Sequence, residues 1–273
     1  MTTFDIIAAV NDDTVLTKNL ERSAVLLEPD VTFRAQRGYA NAGKAYNEAM
    51  RLSTADVAVI VHQDVYLPAA WSTRVRSILK NLEVVDPDWA VLGLYGVTKA
   101  QRHVGYVWSS GLNRILGEPF EAPMPVDSVD ELLILLRRSS GLQFDENLPG
   151  FHLYGTDIVQ TAFATGFSAY AICAPVIHNS RSIQYLPRSY LDSHDYVRNK
   201  WRHQLPIQNC VAAIVNSPVT RLRRRARSWI GEFQHRSTGR MSLDPHLDCV
   251  ELSRKLGFEE FDRKDQSLLA GTT

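Results

Sequence analysis

Hydrophobic and polar positions alternate between two periods over roughly the first hundred residues. Phe4 to Val10 ("FDIIAAV") is an apolar-rich run of strand length, and Asn11-Asp12-Asp13 breaks it. Leu16, Leu20, Ala24 and Leu27 then recur at helical spacing, with Pro29-Asp30 closing that helix. Val31 to Gln36 reads as a second strand, and "RGYANAGKAYNEAM" as a polar loop running into a helix near Ala42. Val57 to Val61 predicts a third strand. Trp71, Val75, Ile78, Leu79 and Leu82 mark the next helix, and "WAVLGLYGV" from Trp89 a fourth strand. Strands alternating with helices predict a parallel sheet assembled from βαβ units.

The pattern then becomes mixed. Val104 to Ser110 alternates like a strand. Glu131 to Arg138 ("ELLILLRR") fits a helix by its leucines and a buried strand by its length. Thr156 to Thr165 predicts a short helix stopped by Gly166, and "FSAYAICAPVIH" a strand ending at His178. Near the C-terminus Ser217-Pro218 supplies an N-cap and a first-turn proline. Leu222, Ala226, Trp229, Ile230 and Phe233 share one face of the helix that follows. Arg221, Arg223, Arg224, Arg225 and Arg227 crowd the remainder. This basic amphipathic helix fits either packing with outward arginines or contact with an anionic membrane surface. The closing "SLLAGTT" reads as a frayed end.

Composition narrows the classes. The 273 residues are 45% hydrophobic, enough for one large α/β domain with an elaborated tail. Formal net charge is zero, so bulk electrostatics do not favour nucleic acid. Cys173, Cys210 and Cys249 are far apart, without CxxC spacing, which fits a reducing cytoplasm better than a disulfide framework or zinc knuckle. The N-terminus has no basic region, and no segment reaches the ~20 apolar residues of a membrane span. The expected location is cytoplasmic, with peripheral contact at the inner membrane face through the basic helix.

Candidate chemistry gathers at strand ends. No GxGxxG follows the first strand, and neither GxxxxGK[ST] nor GxSxG occurs, which removes the usual cradles for dinucleotides and P-loop phosphates and the hydrolase nucleophile. What remains are Asp12, Asp64, Asp157 and His178. A strand-end carboxylate is where open α/β sheets hold ligands, and it suits a hard divalent cation bridging phosphates. A histidine ligand tilts such a site toward manganese. Arg137 and Arg138 fit either a solvent-facing pair or one arginine that reaches a phosphate.

The string "VHQDVYLPAAW", followed far downstream by "FHLYGTD" and "VIHNS", resembles the GT-A glycosyltransferases, in particular a bacterial branch of the family 2-like group. The resemblance spans roughly residues 4 to 207 and includes the "LPI" of Leu205 to Ile207. It implies an α/β, GT-A-like fold: a Rossmann-like nucleotide-binding half with a mixed sheet over about 1–100, an acceptor half over about 101–207, and a C-terminal helical extension over 208–273. Asn11 and Asp12 would hold the nucleobase, and Tyr39, Asn41, Lys44 and Asn47 would approach the nucleotide. His62-Gln63-Asp64 stands where the family has its two-acid DxD. The departure at His62 raises the weight of His178, so that Asp64 and His178 would hold Mn²⁺ or Mg²⁺. Asp157, at the start of a later helix, would be the catalytic base, and one base with no covalent intermediate implies inversion. The implied reaction is metal-dependent transfer from a nucleotide-diphosphate sugar to the hydroxyl of a saccharide or lipid-linked acceptor. A nucleotidyltransferase acting on a sugar phosphate and a non-catalytic nucleotide-sugar-binding protein are the alternatives.

Overall fold

A computed structural model describes residues 1–180, 185–235, 244 and 246–261, the side chains of 232–235 excepted. In chain order the elements are β1 (Phe4–Val10), α1 (Asp13–Lys18), β2 (Val31–Arg37), α2 (Ala42–Arg51), β3 (Val57–His62), β4 (Val65–Tyr66), α3 (Trp71–Val85), β5 (Trp89–Gly93), β6 (Tyr95–Val97), β7 (His103–Ser109), β8 (Arg114–Gly117), β9 (Met124–Pro125), β10 (Ser128–Val129), β11 (Leu133–Arg137), α4 (Tyr154–Ala164), β12 (Ser168–Ala171), β13 (Ile177–His178), α5 (Arg188–Lys200), α6 (Pro218–His235) and α7 (Cys249–Leu256).

Among the described residues the larger sheet has the order β2-β1-β3-β11-β5-β12-β9. β2, β1 and β3 are parallel, β11 runs antiparallel between β3 and β5, and β12 is parallel to β5. The result is an α/β fold with a Rossmann-like parallel half and a mixed sheet. β1 sits between β2 and β3, so the chain leaves it toward one side and later returns on the other. The carboxyl ends of β1 and β3 therefore flank a switch-point crevice. A second sheet, β10-β6-β7-β13-β4 with β8 on β7, closes over that end.

The apolar run of β3 follows from burial on both faces. Ala58 and Ile60 join the core that α2 and α4 cover, while Val57, Val59 and Val61 join the core that α3 covers. Two expectations change here. The stretch from Leu16 to Leu27 is not one helix: α1 stops at Lys18 and single turns occupy Leu20–Arg22 and Ala24–Leu27. The buried Asn19 side chain donates to the Val15 carbonyl at 2.8 Å and competes with helix continuation. The run to His178 is likewise two strands in two sheets, β12 and β13. The ambiguous Glu131–Arg138 segment resolves as β11, the strand inserted between β3 and β5.

The C-terminal extension is helical and held to the body. Gln208 N donates to Asp127 Oδ2 at 2.7 Å, and the Asn209 amide to Thr156 Oγ1 at 2.7 Å. Beyond α6, Glu259 accepts hydrogen bonds from the Tyr66 hydroxyl at 2.8 Å and Ala69 N at 2.7 Å, and Phe258 is fully buried. α6 is turned opposite to a helix that hides its apolar stripe: Arg221, Arg224 and Arg225 face α5, and Leu222, Trp229 and Ile230 are exposed. The Phe233 side chain and the closing "SLLAGTT" lie outside the described residues.

Candidate metal and nucleotide site

The carboxyl ends of β1 and β3 are tied together by one side chain. Gln63 Oε1 accepts from Asn11 N at 3.0 Å and Asp12 N at 3.2 Å, and Gln63 Nε2 donates to Asn11 Oδ1 at 2.6 Å. Above this clamp opens a cavity of about 400 Å³, lined among others by Asn11, Gln36, Tyr39, Tyr46, His62, Asp64 and Tyr154. Its size suits a nucleotide-sized ligand.

His62, Asp64 and His178 converge at the floor, each offering one ligand atom, all within 4.8 Å of one another. Asp64 Oδ1 lies 3.4 Å from His178 Nε2 and 3.9 Å from His62 Nδ1. That buried oxygen makes no hydrogen bond. Its nearest polar neighbours are the two imidazoles, and a cation among the three side chains would give all of them a common partner. Two imidazoles and one carboxylate are a donor set for a first-row divalent metal, so the residues present fit the implied ion. Backbone pairing fixes the constellation. β13 is antiparallel to β4, with His178 opposite Val65, and Asn179 N donates to the Asp64 carbonyl at 2.8 Å.

The charges are mutually adjusted. Burial opposes ionisation of Asp64, but the two histidines hold its carboxyl below the usual value. Burial alone would lower His178, yet the Asp64 carboxylate raises it above an ordinary imidazole. Burial, with His178 nearby, keeps His62 low despite Asp64. The Tyr154 hydroxyl donates to the Glu131 carbonyl at 3.1 Å and lies 3.3 Å from His62 Nε2. A tyrosine proton directed to that carbonyl leaves its oxygen free to accept from His62 Nε2, the tautomer that would turn a bare Nδ1 toward Asp64.

The sequence candidates divide. Asn11, Tyr39, His62, Gln63 and Asp64 line the cavity, and His178 stands behind Asp64. Asp12 caps α1 through Thr14 N and Val15 N. Asn41 caps α2 at Lys44 N and donates to the Glu146 carbonyl. Asn47 braces the same loop through Phe144 and Glu146, and Lys44 points to solvent. These four are not brought to the cavity wall. Arg137 and Arg138 are also remote: β11 is antiparallel to β3, so its carboxyl end pairs with Val57 at the opposite edge.

Asp157 is in the first turn of α4, buried, and lies outside the cavity lining. Lys200 Nζ is 2.9 Å from its Oδ2, and Trp201 Nε1 donates to its Oδ1 at 2.7 Å. Burial pushes its carboxyl above the usual range against the pull of Lys200. Tyr154 and Gln36 at the cavity wall and His62 among the candidate metal ligands were not expected from the sequence. Gln36 carries no motif, Tyr154 lies inside "FHLYGTD" where the acid drew the assignment, and His62 occupies the position of an acid in the DxD pattern.

No family model matches the chain. A curated protein of Fuscovulum blasticum, "ATP synthase subunits region ORF 6", is 30% identical over 134 residues, covering 46% of this chain and 52% of that protein. The chain thus spans about half the length of the curated relative it matches. Among solved structures it is similar to the mannosyltransferase PcManGT from Pyrobaculum calidifontis in complex with GDP-Man and Mn²⁺, at 12% identity and TM-score 0.45, over 84% of this chain and 69% of that one. It is also similar to S. aureus TarS, residues 1–349, in complex with UDP-GlcNAc, at 12% identity and TM-score 0.45, over 91% of this chain and 77% of that one.

Proposed function

We propose that the chain is a GT-A-like glycosyltransferase that moves a sugar from a nucleotide-diphosphate donor to an acceptor hydroxyl, with a divalent cation held by His62, Asp64 and His178. The observation that carries this reading is the convergence of His62, Asp64 and His178, each offering one ligand atom within 4.8 Å of the others, at the floor of a nucleotide-sized cavity. A bound cation there would supply Lewis-acid neutralisation of the diphosphate leaving group. Two imidazoles favour Mn²⁺ over Mg²⁺, which prefers an all-oxygen shell. His62 thus stands in for the first acid of DxD. Asn11, locked by Gln63, and Tyr39 form walls against which the nucleotide lies.

Asp157 is the base in this reading, although its buried carboxyl lies outside the cavity and both oxygens are held by Lys200 and Trp201, so the acceptor must displace one of them. Its raised proton affinity suits the role, which contributes typically ~10²–10⁴-fold. The acceptor hydroxyl would replace Trp201 Nε1 as the donor to Oδ1, and transfer with this one base would invert the anomeric centre.

Incubation with a panel of nucleotide sugars, with and without Mn²⁺, tests the proposal. Metal-dependent release of nucleoside diphosphate is expected, lost in Asp64→Asn. Pyrophosphate release from a nucleoside triphosphate would instead make the protein a nucleotidyltransferase, and tight binding without turnover a nucleotide-sugar-binding protein.

A further inference from the structure

The α6 helix turns charges toward the body and apolar side chains toward solvent. Arg221 and Arg225 reach Asp195 Oδ2 at 2.9 and 2.6 Å, and Arg225 also reaches Asp192 at 3.1 Å. Arg224 Nη1 lies 2.8 Å from His194 Nε2, and its Nη2 donates to the Ala213 carbonyl at 3.2 Å. Three of the five arginines are therefore engaged by α5 and the loop before α6. On the outer face Val219, Leu222 and Ile230 are 60%, 72% and 46% exposed, Trp229 is 70% exposed, and Val211 in the preceding loop is 51% exposed. Arg223 and Arg227 are exposed, and helical spacing sets them along one flank of this stripe. No Asp or Glu occurs anywhere from Arg198 to Gly231.

Adjoining exposed apolar side chains mark a contact surface rather than ordinary solvent face. The flanking charge identifies the partner. A second copy presenting the same face would bring Arg223 and Arg227 against like charges, with no acid among the described side chains of that face to oppose them. A bilayer with anionic headgroups offers both an apolar interior and phosphates, which is how in-plane amphipathic helices bind. We propose that the outer face of α6 lies in the headgroup region of an anionic membrane, with Val219, Leu222 and Ile230 inserted and Arg223 and Arg227 on lipid phosphates. This differs from recruitment by the whole arginine cluster, because only two arginines face the lipid and the apolar face does the inserting.

Co-sedimentation of the full chain with vesicles of phosphatidylcholine, alone or mixed with phosphatidylglycerol, tests it. Binding is expected only to the mixed vesicles and should weaken with added salt. Arg223→Gln and Arg227→Gln should each weaken it about fivefold. Leu222→Ser combined with Ile230→Ser should abolish it with an unchanged circular dichroism spectrum, since both positions are exposed. Arg51→Gln, on an exposed arginine elsewhere, should leave it intact. No sedimentation with anionic vesicles at low salt would overturn the proposal. So would binding indifferent to the Leu222 and Ile230 changes, or a dimer in light scattering that those same changes dissolve.

Discussion

Asp64 carries a buried carboxylate oxygen without a hydrogen bond, between two imidazoles. Asp64→Asn should remove Mn²⁺ binding in calorimetry while leaving the circular dichroism spectrum unchanged. Tyr154 acts on the same site through His62, whose ring it orients. Loss of such an outer partner weakens a metal site by about 10–100-fold, and Tyr154→Phe should do so without altering the protein's fold. Glu131, at the start of α4 where Gly155 N donates to it at 3.3 Å, is a different case. Burial, reinforced by Asp130, pushes its carboxyl up to about 8. The unfolded chain releases this proton from about 4.5 upward and the folded chain only near 8, so Glu131 destabilises the fold increasingly across that window. Urea denaturation should show Glu131→Gln gaining stability over the parent as pH rises from 5 to 8. Legibility at this scale depended on motif. Asp64 and His178 stood out as ligand types at strand ends, whereas Tyr154, inside "FHLYGTD", carries no ligand-type signal of its own.

α2 and α3 each bury one helical stripe, and β1 and β3 are short apolar runs closed by polar turn residues, so their order already implied the parallel half. β11 shares with β3 the burial on both faces that erases alternation, but its leucines favour a helix where β3 carries valine and isoleucine, which left it ambiguous. α6 was readable as an amphipathic helix, but its orientation was not. That depends on Asp192, Asp195 and His194 one helix earlier, a contact between elements with no local signature. His194 makes this docking pH-sensitive. Burial, followed by Arg224, lowers it to about 4 from 6.5, while the unfolded chain takes up the proton near 6.5. Stability therefore falls as pH drops from 6.5 toward 4, by about 3 kcal/mol at most. Chemical denaturation of His194→Gln should show a flatter decline over that range than the parent.

At the scale of the whole molecule, two sheets meet over the crevice at the ends of β1 and β3, and the second sheet brings His178 to a candidate metal site whose other two side chains come from β3 and the turn that follows it. The resemblance carried by "HQDVYLP" and "VIHNS" directed attention to this place, but only the folded sheets bring His62 and His178 to one carboxylate across more than a hundred intervening residues. The C-terminal segment reinforces the arrangement from behind, with Glu259 holding Tyr66 next to the turn that carries Asp64. The central claim is that this constellation binds a metal and a nucleotide diphosphate together. Calorimetric titration of nucleoside diphosphates into the protein, with Mn²⁺ and then with a chelator, tests it most directly. Binding should require Mn²⁺ and disappear in Asp64→Asn; equal affinity in the presence of the chelator would show that no metal links these side chains to the nucleotide.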